Sequence, residues 1–439
     1  MKVRRLNILF IIFLSVIVIY IFDFYLLDNN ANENFWCVKI IENYRFGSIE
    51  NIKFPIHCDE GTYRLASSSL EDFFDRSNPY QSRPLFVGFI AFVKLLVNNL
   101  SIIEFSDYQQ FKVSIFLVQL FILYFIVRLF IHIAKFHKLG IKETVLIFIV
   151  CSIPSVRWNL FFPSVGNLTF LFFLISINFL TNIKKNKKNE NIIFLLLGFL
   201  SLAHMSAIIY GLAIKLYKFI KDKKIKTQQI FQLILLSAPY ILYRLVISIS
   251  KFEYYDWHKN IYKQFYWIIE SFQKKSLNPK ESGCQTFQSF FECNNLVTFN
   301  FLGYFLILLI FFIVLISINK SKYKNSLEIL KPSLFICFFI FIFWTFQGYY
   351  ESFRFVNYSI GYFLFASVIF MTIFLFKNNI FLVISILLYF YSVSYLEPYN
   401  DVYRYPNINY LTIFSILFFL IFVFSQFKFK NFENSKLTR

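Results

Sequence analysis

The chain has 439 residues, 57% hydrophobic and 22% aromatic, with 64 phenylalanines and only 16% charged residues. A water-soluble domain carries closer to a quarter of charged residues, so the composition excludes a soluble globule and reads as an all-α polytopic membrane protein. The net charge of +19 does not point to nucleic acid, because the basic residues fall in short clusters between apolar runs.

The apolar run 8–27 follows Lys2, Arg4 and Arg5 and is the first expected span. It is too long for a signal-peptide core and lacks a small-residue cleavage site, so it is expected to stay as an anchor. A long polar stretch, 28–83, comes next. Leu85–Leu100 is short, contains Lys94 and precedes the acidic segment Glu104–Asp107. Reading it as an interfacial helix keeps that acidic segment outside and makes 28–111 a first outer loop carrying interfacial helices. A short true span is the alternative. Spans are then expected at 113–134, 143–158 and 165–182.

Residues 191–214 are apolar but lie between two basic clusters, Lys184–Lys188 and Lys215–Lys226. Two flanks on the same side require an even number of crossings. A tight hairpin of two short helices, turning near Ala203-His204-Met205-Ser206, meets that requirement. A span at 230–250 leads to a second large outer loop, 251–298. Further spans follow at 299–319, 333–349, 355–376, 379–396 and 409–427. The result is a single integral membrane domain, 1–439, with about twelve crossings and both termini inside.

Cys37 and Cys58 share the first outer loop, and Cys284 and Cys293 share the second. Both pairs are candidate disulfides of an oxidising compartment, with connectivity left open by the sequence. Cys151 and Cys337 lie in apolar spans and read as small buried hydrophobes. The sequence has no CxxC, no HExxH and no glycine-rich phosphate loop.

The densest group of reactive side chains is Asp59-Glu60-Gly61-Thr62-Tyr63, followed by Gln81-Ser82-Arg83-Pro84-Leu85. A carboxylate near a low-dielectric surface becomes a better base, and arginine offers a planar fork that matches phosphate oxygens. Asp59 or Glu60 can serve as base, with Arg83 and Arg354 on a phosphate and Tyr63 packed on a sugar. Plainer roles compete. The two acids suit a helix N-terminus, Arg83 suits a snorkelling anchor, and Arg354 suits an ion pair with Glu351. His204 suits a satisfied turn residue, and Arg244 either approaches a phosphate or pairs with an acid.

These motifs resemble, in order, those of the multi-span GT-C glycosyltransferases. Asp59-Glu60-Gly61-Thr62-Tyr63 is similar to the Asp-Glu-x-x-Tyr motif of aminoarabinose and mannosyl transferases. Arg83-Pro84-Leu85-Phe86 resembles their basic-Pro-Pro-Leu element without the second proline. Gly198 through Ser206 resembles their short helical hairpin, with His204 where Lys often stands, and Arg354-Phe355 resembles their late Arg-Tyr/Phe element. The resemblance covers residues 1–376. It implies sugar transfer from a polyprenyl-phosphate carrier to a lipid or glycan acceptor of the cell envelope. It also implies a multi-pass protein of the bacterial plasma (inner) membrane with its site on the non-cytoplasmic face. Asp59, the first acid of the motif, takes the base role, and Glu60 supports it or contacts a divalent metal. Expected partners are the lipid-linked donor, the acceptor and membrane lipids, not nucleic acid. A transporter or flippase of lipid-linked saccharides, or a polysaccharide polymerase or ligase, is the competing reading; the first expects midplane charges and internal repeats.

Overall fold

The computed structural model describes residues 8–18, 42–46, 49–54, 60–100, 105–136, 143–152, 159–181, 190–223, 227–250, 331–340 and 413–425, with a few single positions between them. The elements are α1 (Ile8–Val18), β1 (Glu42–Phe46), β2 (Ile49–Phe54), α2 (Glu60–Ala66), α3 (Leu70–Phe73), α4 (Pro84–Leu100) and α5 (Asp107–Phe136). They continue with α6 (Glu143–Ser152), α7 (Gly166–Thr181), α8 (Glu190–Leu200), α9 (Ser206–Asp222), α10 (Thr227–Ile249), α11 (Lys331–Ile340) and α12 (Ile413–Ser425). The architecture is mostly helical. An antiparallel two-stranded ribbon is added to the expected helices, with Glu42 opposite Phe54, Tyr44 opposite Ile52 and a bulge between Tyr44 and Phe46. The expected spans 299–319, 355–376 and most of 379–396, the loop 251–298 and Cys37, Cys58, Cys284 and Cys293 lie outside the described residues.

Among the described residues two helices are long and apolar enough to cross a bilayer, α5 with 30 residues and α10 with 23. At 1.5 Å per residue they reach roughly 45 and 35 Å, against a hydrocarbon core of about 30 Å. α5 packs against α4, α6 and α7, and α7 packs in turn on α9. The core between α5 and α7 is aromatic and aliphatic: Phe111, Ile115, Leu123 and Ile126 meet Phe170, Phe172, Phe173 and Ile177, all nearly solvent-free. The outward faces are just as apolar. Phe121 and Phe125 on α5, and Ile241, Leu242, Leu245 and Ile249 on α10, are exposed. A continuous apolar exterior of this kind suits hydrocarbon rather than water.

The hairpin expected within 191–214 is present. α8 ends at Leu200, residues 201–205 turn, and α9 starts at Ser206. α8 is also the main partner of α10. Gly198 explains the closeness of that packing, since a Cβ there would sit 2.5 Å from the Leu235 carbonyl oxygen and 3.2 Å from Pro239 Cδ. Pro239 has no N–H to offer the Leu235 carbonyl one turn back. The same proline that leaves this carbonyl without a helical donor thus faces the residue that lets another backbone approach. Gly211 on α9 similarly makes room for Leu236.

Helix α4 covers the segment expected as an interfacial helix, and it packs against α5. It runs back along α5: Gln110 Nε2 donates to Asn98 Oδ1 at 3.1 Å, and Phe89 meets Phe121 further along at 5.4 Å. Its apolar face, Phe86, Val87 and Ile90, is buried, whereas Leu95 and Leu100 are exposed. Lys94 pairs with Asp107 at 2.6 Å, and Arg64 lies 3.9 Å from the same carboxylate.

Candidate functional site

Helix α2 is about two turns long, too short to persist without tertiary contacts. Glu60 opens it, where a negative charge complements the helix dipole, and Tyr63 follows one turn later on the same buried face. The Glu60 side chain is 2% exposed and that of Lys112 on α5 is 9% exposed. The Lys112 ammonium donates to Glu60 Oε1, and the Tyr108 hydroxyl donates to Glu60 Oε2 at 2.8 Å. Lys112 also reaches the Phe161 carbonyl at 3.4 Å and stands 5.7 Å from the Phe162 ring. A buried ion pair is tolerated only when its remaining lone pairs and protons are satisfied, and here both carboxylate oxygens are engaged.

Tyr63 is 1% exposed. Its ring stacks on Tyr80 at 3.7 Å and meets the Phe86 ring edge-on at 6.0 Å. No open face remains to pack on a sugar. The Tyr63 hydroxyl instead accepts a hydrogen bond from the Arg83 guanidinium, which also lies 5.2 Å from the Tyr80 ring centre. Arg83 itself is half-buried.

The turn that carries Arg83 is tightly specified. Asn78 caps a single 3-10 turn, Pro79–Ser82, accepting from the Tyr80 N–H at 2.9 Å and donating to the Phe73 carbonyl at 2.8 Å. The Asp75 carboxylate accepts from the Ser77 hydroxyl and N–H, and these bonds hold it below its usual range. Gln81, fully buried, donates to the Asp75 carbonyl at 2.6 Å. Pro84 then starts α4, where its missing N–H costs nothing.

Two long-range bonds join this turn to the rest of the molecule. The Leu85 N–H, one of the donors a helix start leaves unpaired, reaches the Leu202 carbonyl in the α8–α9 turn at 3.0 Å. The Tyr243 hydroxyl on α10 donates to the Gln81 carbonyl at 2.6 Å. The acidic motif, the basic-Pro motif, the hairpin turn and α10 therefore meet in one region. His204 is half-buried in that hairpin turn, its Nδ1 2.6 Å from the Ser206 hydroxyl and accepting from the Ser206 N–H at 3.4 Å. Arg244 is half-buried beside Tyr243. Asp59 and Arg354 lie outside the described residues.

Lys112 and Tyr108 are the site residues that sequence reasoning missed. The available signal was a lysine at the mouth of an apolar helix, which demands an acidic partner. A second polar patch extends the site along α5. Gln119 Nε2 donates to the Phe162 and Ser164 carbonyls at 3.0 and 2.6 Å, and Asn167 Nδ2 donates to Gln119 Oε1 at 3.2 Å. These bonds hold residues 159–165 against α5 beside Lys112.

With ammonium and phenol on its two oxygens, Glu60 does not fit the metal-contacting role. Among the described residues no group of three His, Cys, Asp or Glu side chains is clustered for a metal ion. No protein-family model, curated protein or solved structure matches the chain. The functional reading therefore rests on the geometry and chemistry of the site itself.

Proposed function

We propose that the chain is a multi-pass membrane glycosyltransferase of the GT-C kind, moving a sugar from a polyprenyl-phosphate carrier to a cell-envelope acceptor at the outer face. The single observation that supports this reading most is the junction of the acidic and basic-Pro motifs. Tyr63, one turn after the acids, holds Arg83 by its hydroxyl, although twenty residues separate them. A base and a phosphate-binding cation have to be neighbours for this reaction, and the two motifs are neighbours here.

In the proposed reaction Asp59 takes the proton of the acceptor hydroxyl or amine. The freed lone pair bonds the anomeric carbon, and the bond from that carbon to the phosphate oxygen breaks, with its electrons leaving on the polyprenyl phosphate. Arg83 and Arg354 stabilise the departing phosphate. Glu60, already clasped by Lys112 and Tyr108, positions the start of α2 rather than taking a proton. Tyr63 acts through Arg83, which it aims. Arg244 and His204 border the same region on α10 and the hairpin turn, and the lipid chain of the donor stays in the bilayer beside them.

The test is incubation of the purified protein with a panel of radiolabelled polyprenyl-phosphate sugars and membrane acceptors. One donor is expected to be consumed, and Asp59→Asn is expected to lower turnover at least ~100-fold, the lower range for a general base. Carrier movement across vesicles without any glycosyl transfer favours the flippase reading instead. Full transfer activity in Asp59→Asn removes the base assignment.

A further inference from the structure

A second polar cluster sits at the far end of the hairpin, where α8, α9 and α10 meet beside the basic loops. Glu190, Lys215, Lys218 and Gln232 are all less than 9% exposed. Lys218 Nζ donates to Glu190 Oε1 at 2.7 Å, and Gln232 Nε2 donates to Glu190 Oε2 at 3.2 Å and to Asn191 Oδ1 at 2.9 Å. Lys215 donates to a neutral partner, the Gln232 side-chain oxygen Oε1, and stands 4.3 Å from the Phe194 ring centre. Among the described residues the two ammonium groups have one carboxylate near them, which Lys218 takes, so the described cluster holds one positive charge in excess. A buried ion without its own counter-ion is costly, and a bound anion supplies one.

The surroundings favour a particular anion. Lys221 and Lys223 are exposed further along α9, so the lysines at 215, 218 and 221 climb from the buried cluster to the surface. Directly beside them lies an exposed apolar belt of Leu216, Phe219 and Ile220 on α9 and Ile230, Phe231 and Ile234 on α10. A basic cluster edged by exposed hydrocarbon suits a molecule with a phosphate head and acyl chains. We infer that the Lys215–Lys218 cluster between α8, α9 and α10 is a binding site for an anionic phospholipid headgroup. The site is independent of sugar transfer and rests only on the membrane reading of the chain. The Lys218–Glu190 pair forms its floor, and Lys215 supplies the unmatched charge.

The experiment is native mass spectrometry of the detergent-solubilised full chain titrated with dioleoylphosphatidylglycerol, dioleoylphosphatidylcholine or soluble glycerol 3-phosphate. Phosphatidylglycerol is expected to be retained well above phosphatidylcholine. Lys215→Met is expected to lower that retention about 5-fold, the usual weight of one lysine at a charged membrane surface. Glu190→Gln, which adds a further excess positive charge, is expected to raise it, and Lys215→Arg to preserve it. If Lys215→Met does not fold, the Glu190→Gln and Lys215→Arg arms decide. Equal retention of the two lipids, or no response to these substitutions, overturns the site. Glycerol 3-phosphate that binds as tightly as the lipid and displaces it overturns the lipid assignment and leaves a soluble phosphate compound as the ligand.

Discussion

Replacing Lys112 with methionine tests whether the Glu60 carboxylate is a structural anion. The substitution keeps the length of the stem and removes the charge. Glu60, 2% exposed, then keeps the Tyr108 hydroxyl but loses the ammonium on Oε1. Breaking a buried pair from one side costs about 3–5 kcal/mol, because the remaining charge is neither paired nor hydrated. Glu60→Gln leaves the ammonium with the Phe161 carbonyl, so a smaller loss of about 1–3 kcal/mol is expected. The double variant removes both charges, and its loss is expected to fall short of the sum of the single losses by about 2 kcal/mol, within the coupling range of contacting residues. Equilibrium unfolding in mixed micelles, followed by circular dichroism, measures the cycle. Single losses that add to within ~0.5 kcal/mol refute the buried-pair argument. The same variants separate position from chemistry: the double variant is expected to keep most of its transfer activity, whereas a base is not replaceable in this way.

Gly198→Val is expected to cost at least about 1–3 kcal/mol, since its side chain meets the Leu235 carbonyl at 2.5 Å and backbone cannot swing aside. Gly61→Ala is the control, because a Cβ there has no neighbour within 4 Å and the helix gains up to about 1 kcal/mol of propensity; thermal unfolding that ranks the two the other way refutes the close approach of α8 and α10. Arg83→Ala is expected to raise the KM for the lipid-linked donor about tenfold or more, the weight of a charge-assisted bond to phosphate held equally in ground and transition states. Tyr63→Phe, which removes only the hydroxyl that aims Arg83, is expected to shift the same KM in the same direction by less. An unchanged KM in both, measured by steady-state kinetics over donor concentration, contradicts the phosphate role.

Parts of this arrangement were legible before any coordinates. A hairpin within 191–214 is expected from charge alone, because the basic clusters Lys184–Lys188 and Lys215–Lys226 flank one apolar stretch and the expectation needs no side-chain packing. The turn at 201–205 falls where that argument put it. The acidic and basic-Pro motifs were visible as concentrations of polar groups in an apolar chain. Their junction was not, since nothing in a linear sequence says that the Tyr63 hydroxyl meets Arg83 or that the Leu85 N–H meets Leu202. Tyr63 was misjudged for a related reason. An aromatic next to a reactive motif suggests a substrate platform, and only packing reveals that Tyr80 and Phe86 already cover its ring. Lys112 escaped because it was taken as the edge of a span, when its burial makes it the counter-ion of Glu60.

The contacts of α4 are another case in which the sequence shows the charges and not their pairing: Asp107 is shared by Lys94 of α4 and Arg64 of α2. The hairpin and α10 show how such elements are ordered in direction. Glu190 at the start of α8 contacts Gln232 near the start of α10, while Gly198 faces Leu235 and Pro239 further on, so the two helices run in the same direction. From Gln232 to Tyr243, eleven residues of helix advance about 16 Å. The lysine cluster lies at the first end of this climb, and Gln81, Arg83 and the Leu202 turn lie toward the second. The lysine cluster and the Tyr63–Arg83 junction are thus held about 16 Å apart along one helix, roughly half the thickness of a hydrocarbon core.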